Sequence, residues 1–225
     1  MGEKFEKIKE IIEKELKECS GHNFDHVMRV FNMAMHLAKR EKVDLEVIKI
    51  ATLLHDIGGK KEMDDPTGKT DHAIESAKMA RPILEKLGFS TDKIDHICDC
   101  IISHRYKNEH EPKTLEAKIL FDADKLDAAG AIGLARGFAW IGKHGAHIYK
   151  KADNLDDYIK ENLGGKINGR IQDKTKHSTH IEFEIKIKFL ADKLYTKKAK
   201  KIGKDRIEYS RKFLDRLEKE VKGDI

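Results

Sequence analysis

Apolar residues recur at three- and four-residue spacing from Phe5 to about residue 140, beginning with Phe5, Ile8, Ile12 and Leu16. That is the period of an amphipathic helix. The pattern restarts after Cys19-Ser20-Gly21-His22-Asn23 with Val27, Val30, Phe31, Ala34, Leu37 and Ala38, so a polar turn divides the first two helices. A third is predicted from about Asp44, a good N-cap, through Leu45, Ile48, Ala51, Thr52 and His55 to Gly58-Gly59. Residues 59–70 carry Lys, Asp, Gly and a proline and read as loop. Another helix begins near Asp71, with a kink or break expected at Pro82. Ser90 or Thr91 can cap the next, whose apolar face holds Ile94, Ile97 and Ile101. Thr114 can cap one containing Ile119, Leu120, Ala123 and Leu126.

Beyond these, the small-residue run from Asp127 through Ala135 suggests close helix packing. Residues 142–178 lose periodicity and read as a long excursion, with a lid or a substrate loop left open. Helices resume near Ile181 and run to about Val221, although the alternation over residues 181–187 leaves a short strand open. There is no internal repeat. The expected architecture is all-α, one helical domain over residues 1–225, with a core at about 20–135, the excursion at about 142–178 and C-terminal helices at about 181–222.

Composition adds an unusually charged surface: 39% hydrophobic residues against 38% charged, with 45 basic and 40 acidic side chains and a net charge of +5. The two signs are interspersed, so a nucleic-acid partner is not expected; the lysines of residues 197–204 read as a solvated helix face. No apolar run approaches the roughly 18 residues of a membrane span, and no leader is apparent. With only Cys19, Cys98 and Cys100, the chain reads as cytoplasmic; Cys98-x-Cys100 lacks the second pair of a zinc finger. Homodimerisation stays open.

The chemistry gathers on a few His and Asp residues. His55-Asp56 follows the apolar run Ile50-Ala51-Thr52-Leu53-Leu54, so an imidazole and a carboxylate emerge together from a buried helix. A buried carboxylate needs a partner, and a divalent cation is an effective one. His26 precedes an apolar face, and Asp124 lies four residues after Leu120 on an inner face. Two nitrogens and two oxygens from distant helices suit one or two ions of Mn, Fe, Co, Ni, Mg or Zn, with positions left for water and substrate. His104, three residues after Ile101, shares an inner face; His72 could be a ligand or a helix-start histidine bonded to backbone. His177 and His180 fall in a charged stretch and read as solvent-exposed. Gly68-Lys69-Thr70 lacks the first glycine of a phosphate loop, where Met63 stands, and neither His-Glu-x-x-His nor Gly-x-Ser-x-Gly occurs.

The order His26, His55-Asp56, Asp124 resembles the H…HD…D signature of HD-domain proteins. The segments Leu53-Leu54-His55-Asp56-Ile57-Gly58 and Asp122-Ala123-Asp124-Lys125-Leu126-Asp127-Ala128 are similar to the two best-marked stretches of that superfamily, especially its small stand-alone hydrolases. Lys125 stands where an Arg is usual, keeping the charge but not the bidentate fork. The resemblance implies a metal-dependent phosphohydrolase acting on a nucleotide or other small phosphorylated substrate. His26, His55, Asp56 and Asp124 would hold metal, and His72 and His104 are candidates for a second ion. Asp56 would act on the water, Lys60 and Lys125 would neutralise phosphate, and Asp127 would orient a ligand or bond backbone. Two alternatives stand beside it: a binuclear-iron oxygenase, and a non-catalytic nucleotide- or nucleic-acid-binding module.

Overall fold

The structure, a computed structural model, describes residues 2–16, 23–105 and 110–225. Cys19 and the expected turn around it, apart from Asn23, lie outside these residues. The architecture is all-helical, with no strand among the described residues. None of their helices is long and apolar enough to cross a membrane. The chain divides into two compact units, Met1–Asp124 and Lys125–Ile225.

The first unit is built from α1 (Gly2–Glu15), α2 (Phe24–Ala38), α3 (Leu45–Leu54), α4 (Gly59–Asp64), α5 (His72–Lys86), α6 (Thr91–Ser103) and most of α7 (Leu115–Leu126). Helix α3 is its axis. Seven of its side chains, Val47, Ile48, Ile50, Ala51, Thr52, Leu53 and Leu54, are buried. A helix apolar on nearly every side must be surrounded; α1, α2, α5 and α6 all pack on this one. The one polar residue among those seven, Thr52, donates its hydroxyl to the Ile48 carbonyl at 2.6 Å.

Three local expectations are corrected. Helix α3 stops at Leu54 rather than at the glycines, because the His55 ring bonds the Thr52 carbonyl at 2.7 Å and the chain turns through residues 55–58. Residues 59–64 form α4 instead of loop; with only Gly59 buried, the helix carries no apolar period to read. The loop is confined to residues 65–70, where the Asp65 carboxylate accepts from the main-chain N–H groups of Thr67, Lys69 and Thr70 at 2.7 to 3.0 Å. Helix α5 passes through Pro82 without a break, since Ala77, Ala80 and Leu84 on either side are buried and packing outweighs one lost hydrogen bond.

The second unit contains α8 (Gly130–His144), α9 (Leu155–Asn162), α10 (Thr179–Ile185), α11 (Leu190–Lys193) and α12 (Lys197–Lys222). Helix α12 buries Ala199, Gly203, Ile207, Ser210 and Leu214, and Leu134, Phe183, Leu190 and Ala191 join Ile207 and Leu214 in one core cluster. Residues 181–187, whose alternation left a strand open, are helical through Ile185. The excursion over residues 142–178 contains α9, begun by the Asn154 side chain and closed by a buried Asn162. That amide donates to Tyr158 Oη at 2.9 Å and to the Asp173 carbonyl at 3.0 Å, and accepts from Asp173 N at 2.7 Å. His177, expected in solvent, is buried at 5% exposure. Its Nδ1 meets Tyr158 Oη at 2.7 Å, Trp140 lies edge-on at 5.4 Å, and Glu182 approaches Nε2 to 3.4 Å. A polar run in sequence concealed a histidine enclosed by side chains of three helices and their connections.

Cys98 and Cys100 are buried free thiols, and burial pushes Cys100 up to about 12. Neither belongs to a metal-ligand group.

Candidate metal centre

Six side chains of the first unit converge. Asn23 caps α2 by accepting from His26 N at 3.0 Å, which fixes His26 in the first turn. Asp44 caps α3 through Glu46 N and Val47 N, and the buried helix then delivers His55 and Asp56 from its far end into the interior. Asp71 caps α5 through Ala73 N, so His72 is the first helical residue. His104 terminates α6, and Asp124 lies in the last turn of α7.

The turn after α3 must approach α5 closely. Gly58 N donates to the buried Ser76 hydroxyl at 2.9 Å, and a Cβ on Gly58 would sit 2.6 Å from Ser76 N and 2.9 Å from the His72 carbonyl oxygen. Only glycine fits there.

Asp56, 1% exposed, is the centre of the arrangement. Its Oδ2 lies 3.3 Å from Nε2 of His26 and 3.3 Å from Nε2 of His55. Its Oδ1 lies 3.3 Å from Nε2 of His72 and 3.5 Å from Nε2 of His104. Asp124 Oδ1 approaches the same His26 nitrogen to 3.3 Å. One carboxylate thus faces two imidazoles on each side, giving two groups, His26-His55-Asp56 and Asp56-His72-His104, whose ligand atoms lie within 4.8 Å of one another.

The protonation pattern fits cation binding. Main-chain carbonyls only accept, so His55 donates Nδ1–H to Thr52 and His104 donates Nδ1–H to Ile101 at 2.5 Å. When neutral, rings fixed this way turn their Nε2 lone pairs inward, the usual device for orienting histidine ligands. Nε2 of His55 is buried with no hydrogen-bond partner, a costly state that a bound cation relieves. Burial pushes the His104 ring down to about 4, with Asp56 opposing and His55 and His72 reinforcing, so that ring is neutral at physiological pH. This His/Asp cluster could therefore hold a divalent metal.

Two residues absent from the sequence reading complete the surroundings. Glu62 of α4 accepts from His72 Nδ1 at 2.5 Å, and Arg105 donates to Glu62 at 2.5 Å and to Asp71 at 3.0 Å. Burial favours the neutral acid at Glu62, but the His72 ring and the Arg105 guanidinium prevail and hold it down to about 2. No motif marks Glu62, which sits in an exposed charged stretch; the sole hint at Arg105 is its place after His104. Lys60 is exposed in the first turn of α4. Lys125 is half-buried and directly follows Asp124, while Asp127 is buried and accepts from Arg136 at 2.7 Å.

Comparison with known proteins bears on this geometry. The family model of the HD domain matches residues 23–129. Over 210 residues the chain is 27% identical to YpgQ of Bacillus subtilis, an alignment covering 92% of this chain and 87% of YpgQ. The crystal structure of YpgQ in complex with ADP superposes with a TM-score of 0.68 at 23% identity, over 97% of this chain and 95% of that one. An HD-superfamily hydrolase from Bacillus thuringiensis gives 0.66 at 26% identity, covering 98% of both chains. A predicted HD superfamily hydrolase from an uncultured Thermotogales bacterium gives 0.63 at 27%, covering 96% and 91%.

Proposed function

The chain belongs to the HD-domain family, and we propose that it is a metal-dependent phosphohydrolase acting on a nucleotide. The observation that carries this reading is Asp56, a buried carboxylate with two imidazole nitrogens within 3.5 Å of each of its oxygens. His26, His55, Asp56 and Asp124 are the proposed ligands of one cation, and Asp56, His72 and His104 those of a second. Mn, Fe, Co, Ni and Zn suit such a mixed nitrogen and oxygen set, with Mg at the oxygen-rich end. When bound, such an ion supplies charge stabilisation of phosphoryl oxygens and acidifies a water toward about pH 7.

The chain's own groups do the rest. Asp56 is the proposed orienter of the attacking water and acceptor of its proton. Lys60 and Lys125 are the proposed cations that neutralise substrate phosphate. The ADP bound by YpgQ supports a nucleotide as the substrate class.

Elemental analysis of the purified protein, joined to a nucleotide and phosphoester panel with Mn, Co, Ni and Mg, tests the reading. Phosphate release by the parent should disappear in Asp56→Ala, together with the bound metal. Turnover retained in that variant overturns the assigned site. Oxygen uptake by iron-loaded protein without phosphate release would instead identify oxygenase chemistry. Nucleotide binding without any turnover would identify a sensing module.

A further inference from the structure

We propose that Glu62, held by Arg105, is a positioning residue that controls the Asp56-His72-His104 side of the centre independently of the His26-His55 side. The inference rests on the reading of the pocket as a metal centre with two cation positions.

The rings of the centre differ in what fixes them. His55 and His104 donate to the carbonyls of Thr52 and Ile101, three residues upstream in their own chain segments. Those acceptors belong to the backbone, and no side-chain change nearby alters their chemistry. His72 differs: its Nδ1 faces the Glu62 carboxylate, a side chain ten residues away. While Glu62 is ionised it accepts only, so Nδ1 carries the hydrogen and Nε2 turns its lone pair toward Asp56 Oδ1 and His104 Nε2, at 3.3 and 3.1 Å. A side chain, rather than the main chain, therefore selects the His72 tautomer.

Arg105 keeps that selection in place. Its two terminal nitrogens reach different carboxylates, Glu62 at 2.5 Å and Asp71 at 3.0 Å. Asp71 is the residue that caps α5 and so sets the backbone immediately before His72. One guanidinium thus anchors both the ring's partner and the helix start, a planar two-pronged task for which a lysine ammonium is poorly shaped. Arg105 also directly follows His104, so the end of α6 supplies one proposed ligand and the clamp on the other. On the other side the described anchors are different groups: Asn23 accepts from the His26 backbone N–H, and the His55 Nδ1 faces the Thr52 carbonyl.

The test uses the full chain, stripped with a chelator and titrated with Mn(II) while bound equivalents and the electron paramagnetic resonance spectrum are followed. Two equivalents and an exchange-coupled signal are expected for the parent. Glu62→Gln can offer an amide N–H to Nδ1 and admit the opposite tautomer. It should keep the first equivalent, weaken the second by about 10–100-fold and revert to a mononuclear six-line spectrum. Arg105→Lys should move the second equivalent in the same direction by a smaller factor, with an unchanged circular-dichroism melt for each variant at one equivalent of metal. Two unchanged equivalents in Glu62→Gln, or loss of both, overturns the positioning role. A parent that binds one equivalent or none overturns the two-position reading beneath it.

Discussion

The Nε2 atoms of His72 and His104 stand 3.1 Å apart, and the Nδ1 of each ring is already committed to an acceptor, Glu62 or the Ile101 carbonyl. When both rings are neutral, two lone pairs face each other within a buried space, beside an Asp56 oxygen that is also an acceptor. Such a contact is stable only with a positive charge shared among the three. A divalent cation would provide it at neutral pH, where burial works against protonating His104.

Chelation should therefore lower the melting temperature. An ion present at about 100 times its dissociation constant stabilises by about 2.7 kcal/mol. For a chain of this size that corresponds to roughly 5–11 °C, at about 2–4 °C per kcal/mol. Differential scanning calorimetry with and without chelator, followed by Mn or Co restoration, measures the difference. Coincident melts would show that the histidine pair is accommodated by a proton instead.

Gly58→Ala should damage the centre without touching a proposed ligand. The added methyl meets Ser76 N, the Glu75 carbonyl carbon and the His72 carbonyl oxygen at 2.6 to 2.9 Å, all backbone atoms of α5 or its first turn. Overpacking against atoms that cannot rotate away costs about 1–3 kcal/mol. The displaced turn carries Asp56 with it, so metal content should fall alongside stability. Unaltered metal content in a destabilised variant would separate the packing role of Gly58 from the ligand geometry.

In the second unit, Glu182 should make stability pH-dependent. Burial tends to raise its carboxyl, but Lys186 at 2.9 Å and His177 at 3.4 Å prevail and bring it down to about 2 from 4.5. A depressed carboxylate stabilises the fold above its unfolded value and loses that contribution as pH falls through the folded one. Glu182→Gln should thus be less stable than the parent at pH 7, with the gap closing between pH 4.5 and 2. Since the side chain is 32% exposed, salt should narrow it as well. A constant gap across that range in urea titrations would assign the loss to packing.

Sequence by itself determined the features that repeat locally or announce themselves by residue type. Three-to-four periodicity placed most of the helices, because an amphipathic stripe is written into neighbouring residues. Asp44 and Thr114 declared helix starts. The side chains His26, His55, Asp56 and Asp124 could be singled out as candidates because a His-Asp pair closing an apolar run is chemically conspicuous, and His104 joined them by its place on an inner face. Helix α4 was missed for the converse reason: it buries only Gly59 and has no stripe to show.

Tertiary structure alone decided which distant groups meet. Asp56 faces four imidazoles because α3 is enclosed on all sides and its end opens among α2, α5 and α6. Glu62 and Arg105, 43 residues apart, meet at 2.5 Å, and neither position carries a periodic or compositional mark. His177 shows the same limit, buried within a run that reads as polar surface. Periodicity records which way a side chain points from its own helix. What stands opposite it is fixed by packing across the whole chain, where burial and hydrogen bonding select one arrangement of helices.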